Sequence, residues 1–237
     1  MRSRSNAAHD DRLDDGMREQ RALVAAREAS GASQCGWKAG FGAPAARERF
    51  ALDAPLVGAL LDRTRLDPGS VVPIGTWRDP RAEAEIAVLL GADVAPGASS
   101  EQAWASVAGL APAIELVDLP PAPDTPAAAL AGNLFHRHWI TGSFEGPPAG
   151  PGLSGLVAEV HVMGGEPGRI DDVEALTGSA AETLLEIARI GERHGRGLLQ
   201  GDIVILGAVL PPAPIGAAGS FCFTLSGHPT ISVDLTP

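Results

Sequence analysis

Arg81-Ala82-Glu83-Ala84-Glu85-Ile86-Ala87-Val88-Leu89-Leu90 places two carboxylates two residues apart at the head of an otherwise apolar run. Read as a β-strand, the period of two puts Glu83 and Glu85 on one face. Two acids aimed into one space repel each other, and burying them unpaired is costly. A hard divalent cation such as Mg2+ resolves that conflict, because it prefers carboxylate oxygens. A third acid in apolar surroundings follows at Ala113-Ile114-Glu115-Leu116-Val117. The first stretch also reads as a helix, with Asp79 as N-cap, Pro80 in the first turn and Ala, Glu and Leu as strong helix formers. On a helix the two acids stand about 200° apart and share nothing. Periodicity alone does not separate helix from strand in so short a run, so both readings stand.

Four segments taken in order carry a family resemblance. They are Gly36-Trp37-Lys38-Ala39-Gly40-Phe41, then Pro80 to Ala87 with its paired acids, then Pro112-Ala113-Ile114-Glu115-Leu116-Val117, then Gly201-Asp202-Ile203-Val204-Ile205-Leu206-Gly207-Ala208. From about Ser33 to the C-terminus the chain resembles the fumarylacetoacetate hydrolase superfamily. Within it, the similarity is to the branch of 2-hydroxypenta-2,4-dienoate (2-keto-4-pentenoate) hydratases and 4-oxalocrotonate decarboxylases. The resemblance implies an α+β fold, a fumarylacetoacetase C-terminal-like mixed β-sheet roll with peripheral helices. It implies residues 1–55 as a helical arm with the first strand, and 56–237 as one metal-binding catalytic unit. It also implies Mg2+ or Mn2+ on Glu83, Glu85 and Glu115, and a 2-oxo acid chelated through its carboxylate and keto oxygens. Lys38 would neutralise substrate charge or pass a proton. The activity implied is that of a metal-dependent lyase, hydratase or decarboxylase, working through an enolate. Alternatives are an acylpyruvate-type C–C hydrolase, a rewired biosynthetic lyase or cyclase, and a non-catalytic metal-binding scaffold. A homo-oligomer, dimer or larger, is implied as well.

The surroundings of the acids depart from the hydratase pattern. Leu56 stands where family members carry an acid, Phe135 where a serine follows Asn, Ser179 where a Gly-His-Pro histidine falls, and Leu206 where a threonine falls. Either the substrate is larger and more apolar, or the activity has been rewired.

Composition excludes other classes. At 237 residues the chain suits one large domain, or a core domain with an N-terminal arm. Its net charge of −11, with no basic cluster, argues against nucleic acid and anionic membrane as partners and for a small-molecule substrate. Two cysteines, Cys35 and Cys222, imply no disulfide framework. The N-terminus turns acidic at Asp10-Asp11 without the apolar core of a signal peptide, and no run is long enough to span a bilayer. A cytoplasmic protein is expected.

Along the chain, the pattern predicts a helix over Asp11 to Ser30 and a strand over Cys35 to Phe41. That strand holds Lys38, the only lysine, which is either a snorkelling edge residue or a functional ammonium. Pro55 to Arg65 reads as a short helix, Val71 to Ile74 as a strand and Ser99 to Ala108 as a helix. Loops rich in proline and glycine follow at Pro120 to Pro126 and Gly146 to Gly155. Between them, a strand over Asn133 to Ile140 would put His136 and His138 on one face and Arg137 on the other. The bland reading is a satisfied core cluster; the functional one gives His136 and His138 proton transfer and Asn133 and Arg137 substrate recognition at the site mouth. Val157 to Ile170 reads as a hairpin with a Gly-rich turn. Ser179 with Glu182 predicts a capped helix to about His194. Strands over Ile203 to Val209, Ser220 to Leu225 and Thr230 to Leu235 complete a β-rich C-terminal half. A thiol enzyme on Cys222 and His228 is a weaker idea, since Cys222 alternates with Phe221 and Phe223 in an ordinary strand pattern.

Overall fold

The computed structural model describes residues 11–120, 125–146, 150, 152–162, 165–216 and 219–237. Residues 1–10 lie outside this description, as do parts of both Pro/Gly loops and of the turn after Val162. Two sheets make up the core. In the larger, strands run in the spatial order β2 (Leu56–Leu61), β1 (Gln34–Gly40), β10 (Ile203–Ala208), β5 (Pro80–Leu90), β6 (Val107–Asp118), β7 (His136–Thr141) and β3 (Arg65–Leu66), with β11 (Ala213–Pro214) on β5. In the smaller the order is β4 (Ser70–Pro73), β13 (Ile231–Thr236), β12 (Gly219–Leu225), β8 (Ala158–Val162) and β9 (Gly168–Ile170). Parallel and antiparallel pairs are mixed, β1 running parallel to β10 while β5 and β6 form a long antiparallel ladder. The helices α1 (Asp11–Ala29), α2 (Pro44–Phe50), α3 (Ser100–Ala105), α4 (Pro126–Ala131) and α5 (Ala180–Arg193) complete the fold. The α+β mixed-sheet expectation holds, and no described helix is long and apolar enough to cross a membrane.

The helix alternative for Asp79 onward gives way to strand. Ala82, Ala84, Ile86 and Val88 alternate with the acids and all lie in the main core, and a helix would have scattered that stripe round its circumference. The helix expected over Pro55 to Arg65 is also strand, from Leu56 to Leu61, followed by a 3-10 turn over Asp62–Thr64. All six strand residues are buried. An apolar run covered on both faces shows no alternation, so Leu-Val-Gly-Ala-Leu-Leu imitates a buried helix. The helix from Ser99 ends at Ala105, because Val107 already begins β6. The helix after Ser179 forms as expected, Ser179 accepting from the Glu182 amide.

Two contacts fix β1, which carries Lys38. Asp202, buried at the head of β10, accepts a forked pair of bonds from Arg196 at 2.7 and 2.8 Å, and that guanidinium lies over the Trp37 ring. At Gly36 the two backbones close so tightly that a Cβ would stand 1.8 Å from the Ile203 carbonyl oxygen. Gly36→Ala should therefore push β1 from β10 and cost about 3 kcal/mol, at the upper end of overpacking. A urea denaturation midpoint like that of the wild type would contradict this account of the β1–β10 junction.

Candidate metal centre

The β5–β6 ladder sets Glu83 directly opposite Glu115, and Glu85 follows on the same face two residues along. One carboxylate oxygen from each of the three lies within 4.8 Å of the others. Glu85 and Glu115 are each 1% exposed and Glu83 is half-buried, so the cluster opens at Glu83. Like charges facing each other across a rung destabilise a sheet, and burial removes the water that would screen them.

Three groups answer that repulsion. Lys38 Nζ forms an ion pair with Glu115 Oε1, and Lys38 is itself 2% exposed. The alignment follows from register: Lys38 pairs with Ile205, and Ile205 with Ala87, on the face of the acids. His136 Nδ1 lies 2.7 Å from the same Glu115 oxygen. The Gly207 amide donates to Glu85 Oε2 at 3.0 Å. That amide is turned inward by a φ of +112° at Gly207, where β10 breaks register.

The proton affinities divide accordingly. Burial, then the Glu115 charge, raises Glu83 from 4.5 to about 7. Burial followed by Glu115 and Glu83 pushes Glu85 well above the ordinary range, against a smaller opposing pull from Lys38 and the Gly207 amide. Burial would raise Glu115 too, but the Lys38 ammonium and the His136 contact outweigh it and hold the carboxyl below its usual value. Burial lowers His136 despite its carboxylate partner, which favours the neutral ring.

The expectation that His136 and His138 share a face is not met. Leu116 pairs with His138 and Val117 with His136, so Arg137 is an extra residue in β7. This bulge turns His136 onto the acid face, while His138 stays opposite Leu116 on the other. There His138 stacks on Trp77, with ring centroids 6.1 Å apart. Arg137 is likewise turned from the acids, bonding Asp118 at 2.8 Å and lying over Trp77. Asn133 is buried with both amide ends on one residue: Oδ1 accepts from Ala59 N at 2.7 Å and Nδ2 donates to Ala59 O at 2.9 Å. Its amide is thus spent on the fold, not offered to a substrate. Among the other departures, Leu206 sits in the main core, Ser179 caps α5, and Leu56 with Phe135 joins an apolar cluster around Leu134. Cys222 lies mid-strand opposite Ser232 and His161, away from the hairpin turn that holds His228. A cavity lined by Leu13, Met17, Leu56, Ile190 and Arg193 includes none of Glu83, Glu85 and Glu115.

Comparison with known proteins agrees with this architecture. The profile of the family described as fumarylacetoacetate (FAA) hydrolase C-terminal matches residues 38–228. A 4-oxalocrotonate decarboxylase from a Pseudomonas species is 27% identical over 195 residues, 80% of this chain and 73% of that protein. A 2-hydroxyhexa-2,4-dienoate hydratase of Comamonas testosteroni is 26% identical over 223 residues, 90% of this chain and 83% of that protein. Among solved structures, 4-oxalocrotonate decarboxylase from Pseudomonas putida G7, complexed with magnesium and adipate, superimposes with a TM-score of 0.86 at 21% identity, covering 94% of this chain and 86% of that one.

The raised Glu83 gives a signed pH expectation for metal-free protein. A carboxyl whose folded value, about 7, exceeds its ordinary 4.5 adds stability below the lower figure and loses it as pH rises through the upper one. The melting temperature should fall between about pH 5 and about pH 8 by more in the wild type than in Glu83→Gln. Equal slopes would remove Glu83 from the buried-charge account.

Proposed function

The chain belongs to the fumarylacetoacetate hydrolase family, and from that premise we propose a divalent-metal-dependent lyase, a hydratase or decarboxylase, acting on a 2-oxo acid or its enol. The observation that carries this reading is a charge mismatch. Three carboxyls crowd within 4.8 Å against one ammonium and a neutral imidazole. Burial raises the proton affinity of Glu83 and Glu85, which, when ionised, add two negative charges that no group in this buried site matches. One divalent cation matches them, and an all-oxygen donor set suits Mg2+ or Mn2+. Glu83, Glu85 and Glu115 would hold it. When bound, such an ion supplies Lewis acidity toward a substrate's keto oxygen.

The chain's own residues do the rest. Lys38 orients Glu115 and sets an ammonium beside the carboxylates, where it would hold a substrate carboxylate or hand over a proton. His136 steadies the other side of Glu115 with a proton held at Nδ1. Burial of Lys38, Glu85 and Glu115 excludes water from the floor of the site, which strengthens each of these contacts. An acylpyruvate-type hydrolase would need a free water-activating base on this face. His136 has both ring nitrogens engaged and His138 faces away, which weighs against the hydrolase. Hydration also adds water, so decarboxylation is the step this face suits best. The reading carries with it a cytoplasmic homo-oligomer, a dimer in the first instance, with 56–237 as the catalytic unit and 1–55 as its arm.

Turnover of 2-hydroxypenta-2,4-dienoate, oxaloacetate and acetylpyruvate, with added Mg2+ and then with chelator, tests the class. Metal-dependent loss of one of the first two compounds is expected, and turnover of acetylpyruvate alone would favour the hydrolase. Lys38→Met should lose roughly 10²–10³ in kcat, the scale of a lost transition-state contact. A kcat near that of the wild type in this variant would remove Lys38 from the chemistry.

A further inference from the structure

A threonine absent from every motif above is the far end of the hydrogen-bonded chain that reaches Glu115. Thr64, the last residue of the Asp62–Thr64 turn, places Oγ1 3.0 Å from His136 Nε2 and 2.8 Å from the Leu61 carbonyl oxygen. His136 Nδ1 in turn faces Glu115 Oε1 at 2.7 Å. A neutral imidazole has one N–H, and a carboxylate can only accept. If Nδ1 is to donate to Glu115, Nε2 must accept. Thr64 has one hydroxyl proton and two acceptors in reach, the Leu61 carbonyl and Nε2. Turning that proton to Nε2 still leaves the carbonyl its bond from Trp139 Nε1. The partner on one ring nitrogen selects the proton position on the other.

The same stretch grips the His136 segment at further points. Besides the paired bonds from Asn133 to Ala59, Trp139 Nε1 donates to the Leu61 carbonyl at 3.0 Å. Between these grips the backbone is held in a conformation it would not otherwise keep. Asn133, Leu134 and Phe135 have φ of 51°, 56° and 65°, left-handed values that asparagine tolerates but that leucine and phenylalanine rarely adopt. Consecutive strain of this kind persists where surrounding contacts over-determine it, and it gathers at functional sites. The strained run ends where His136 begins and the Arg137 bulge turns the ring toward the acids.

We propose that Thr64 is a positioning residue for metal binding: by fixing the orientation and tautomer of His136 it holds Glu115 in its ligating pose, without touching the ion. The inference rests on reading the three acids as a metal site, and the experiment separates the two. Mg2+ affinity is measured by calorimetry on metal-free wild type, Thr64→Val and Thr64→Ser, with urea denaturation of each. Valine keeps the volume and loses the hydroxyl, whereas serine keeps the hydroxyl. Loss of an outer partner of a metal ligand weakens binding by roughly 10–100-fold, so Thr64→Val is expected to bind in that range below wild type. Thr64→Ser is expected to stay within about threefold, since it retains the donor. Should Thr64→Val not fold, Thr64→Ala takes its place under the same expectation. Wild-type affinity in the valine or alanine variant overturns the proposal, as does a serine variant as weak as the valine one, which would mark a mere packing role. If the wild type itself binds no Mg2+, the metal reading falls and this inference falls with it.

Discussion

Glu83 and Glu115 face each other across one rung of the β5–β6 ladder, and Glu85 adds a third carboxylate to the same face. No folded chain gains stability from that arrangement by itself, because like charges opposed in a sheet repel and burial deprives them of water. Much of what is unusual nearby answers it. Lys38 is drawn from the neighbouring strands to Glu115, His136 is turned to the same oxygen, and the Gly207 amide points at Glu85. These contacts offset part of the repulsion and leave the rest for a cation.

Topology is what gathers the participants. Lys38, Glu115, His136 and Gly207 lie far apart in the chain, yet β1, β10, β5, β6 and β7 are consecutive neighbours in one sheet. The parallel β1–β10 pair aligns Lys38 with Ile205, and the antiparallel pair beside it aligns Ile205 with Ala87. The tight approach at Gly36 and the Arg196–Asp202 fork secure that junction. Two departures from regular ladders then aim the polar groups, one at Gly207 and one at Arg137. Regular strands would have left the amide and the imidazole pointing elsewhere.

Legibility in the sequence followed the range of the cause. The Glu-x-Glu pairing is local, and a period of two suffices to place both acids on one face once the strand is granted. The strand itself came from resemblance, since Ala, Glu and Leu favour helix by propensity. Leu56–Leu61 reads as helix and forms strand because burial on both faces erases alternation, the one signal that separates the two. The histidine pair reads as sharing a face and does not, because one inserted residue, Arg137, changes the face of His136 and nothing local announces a bulge. Asn133 reads as a polar residue near a site, and only the tertiary structure shows its amide closed on Ala59. Thr64 leaves no trace in the sequence, because its partner is 72 residues away.

The central claim is that these three acids are held together in order to bind one divalent ion. Calorimetric titration of metal-free protein with Mg2+, run on the wild type and on Glu85→Ala, tests it most directly. The account predicts one ion per chain in the wild type and no measurable binding in the variant. Equal binding by both proteins would contradict it.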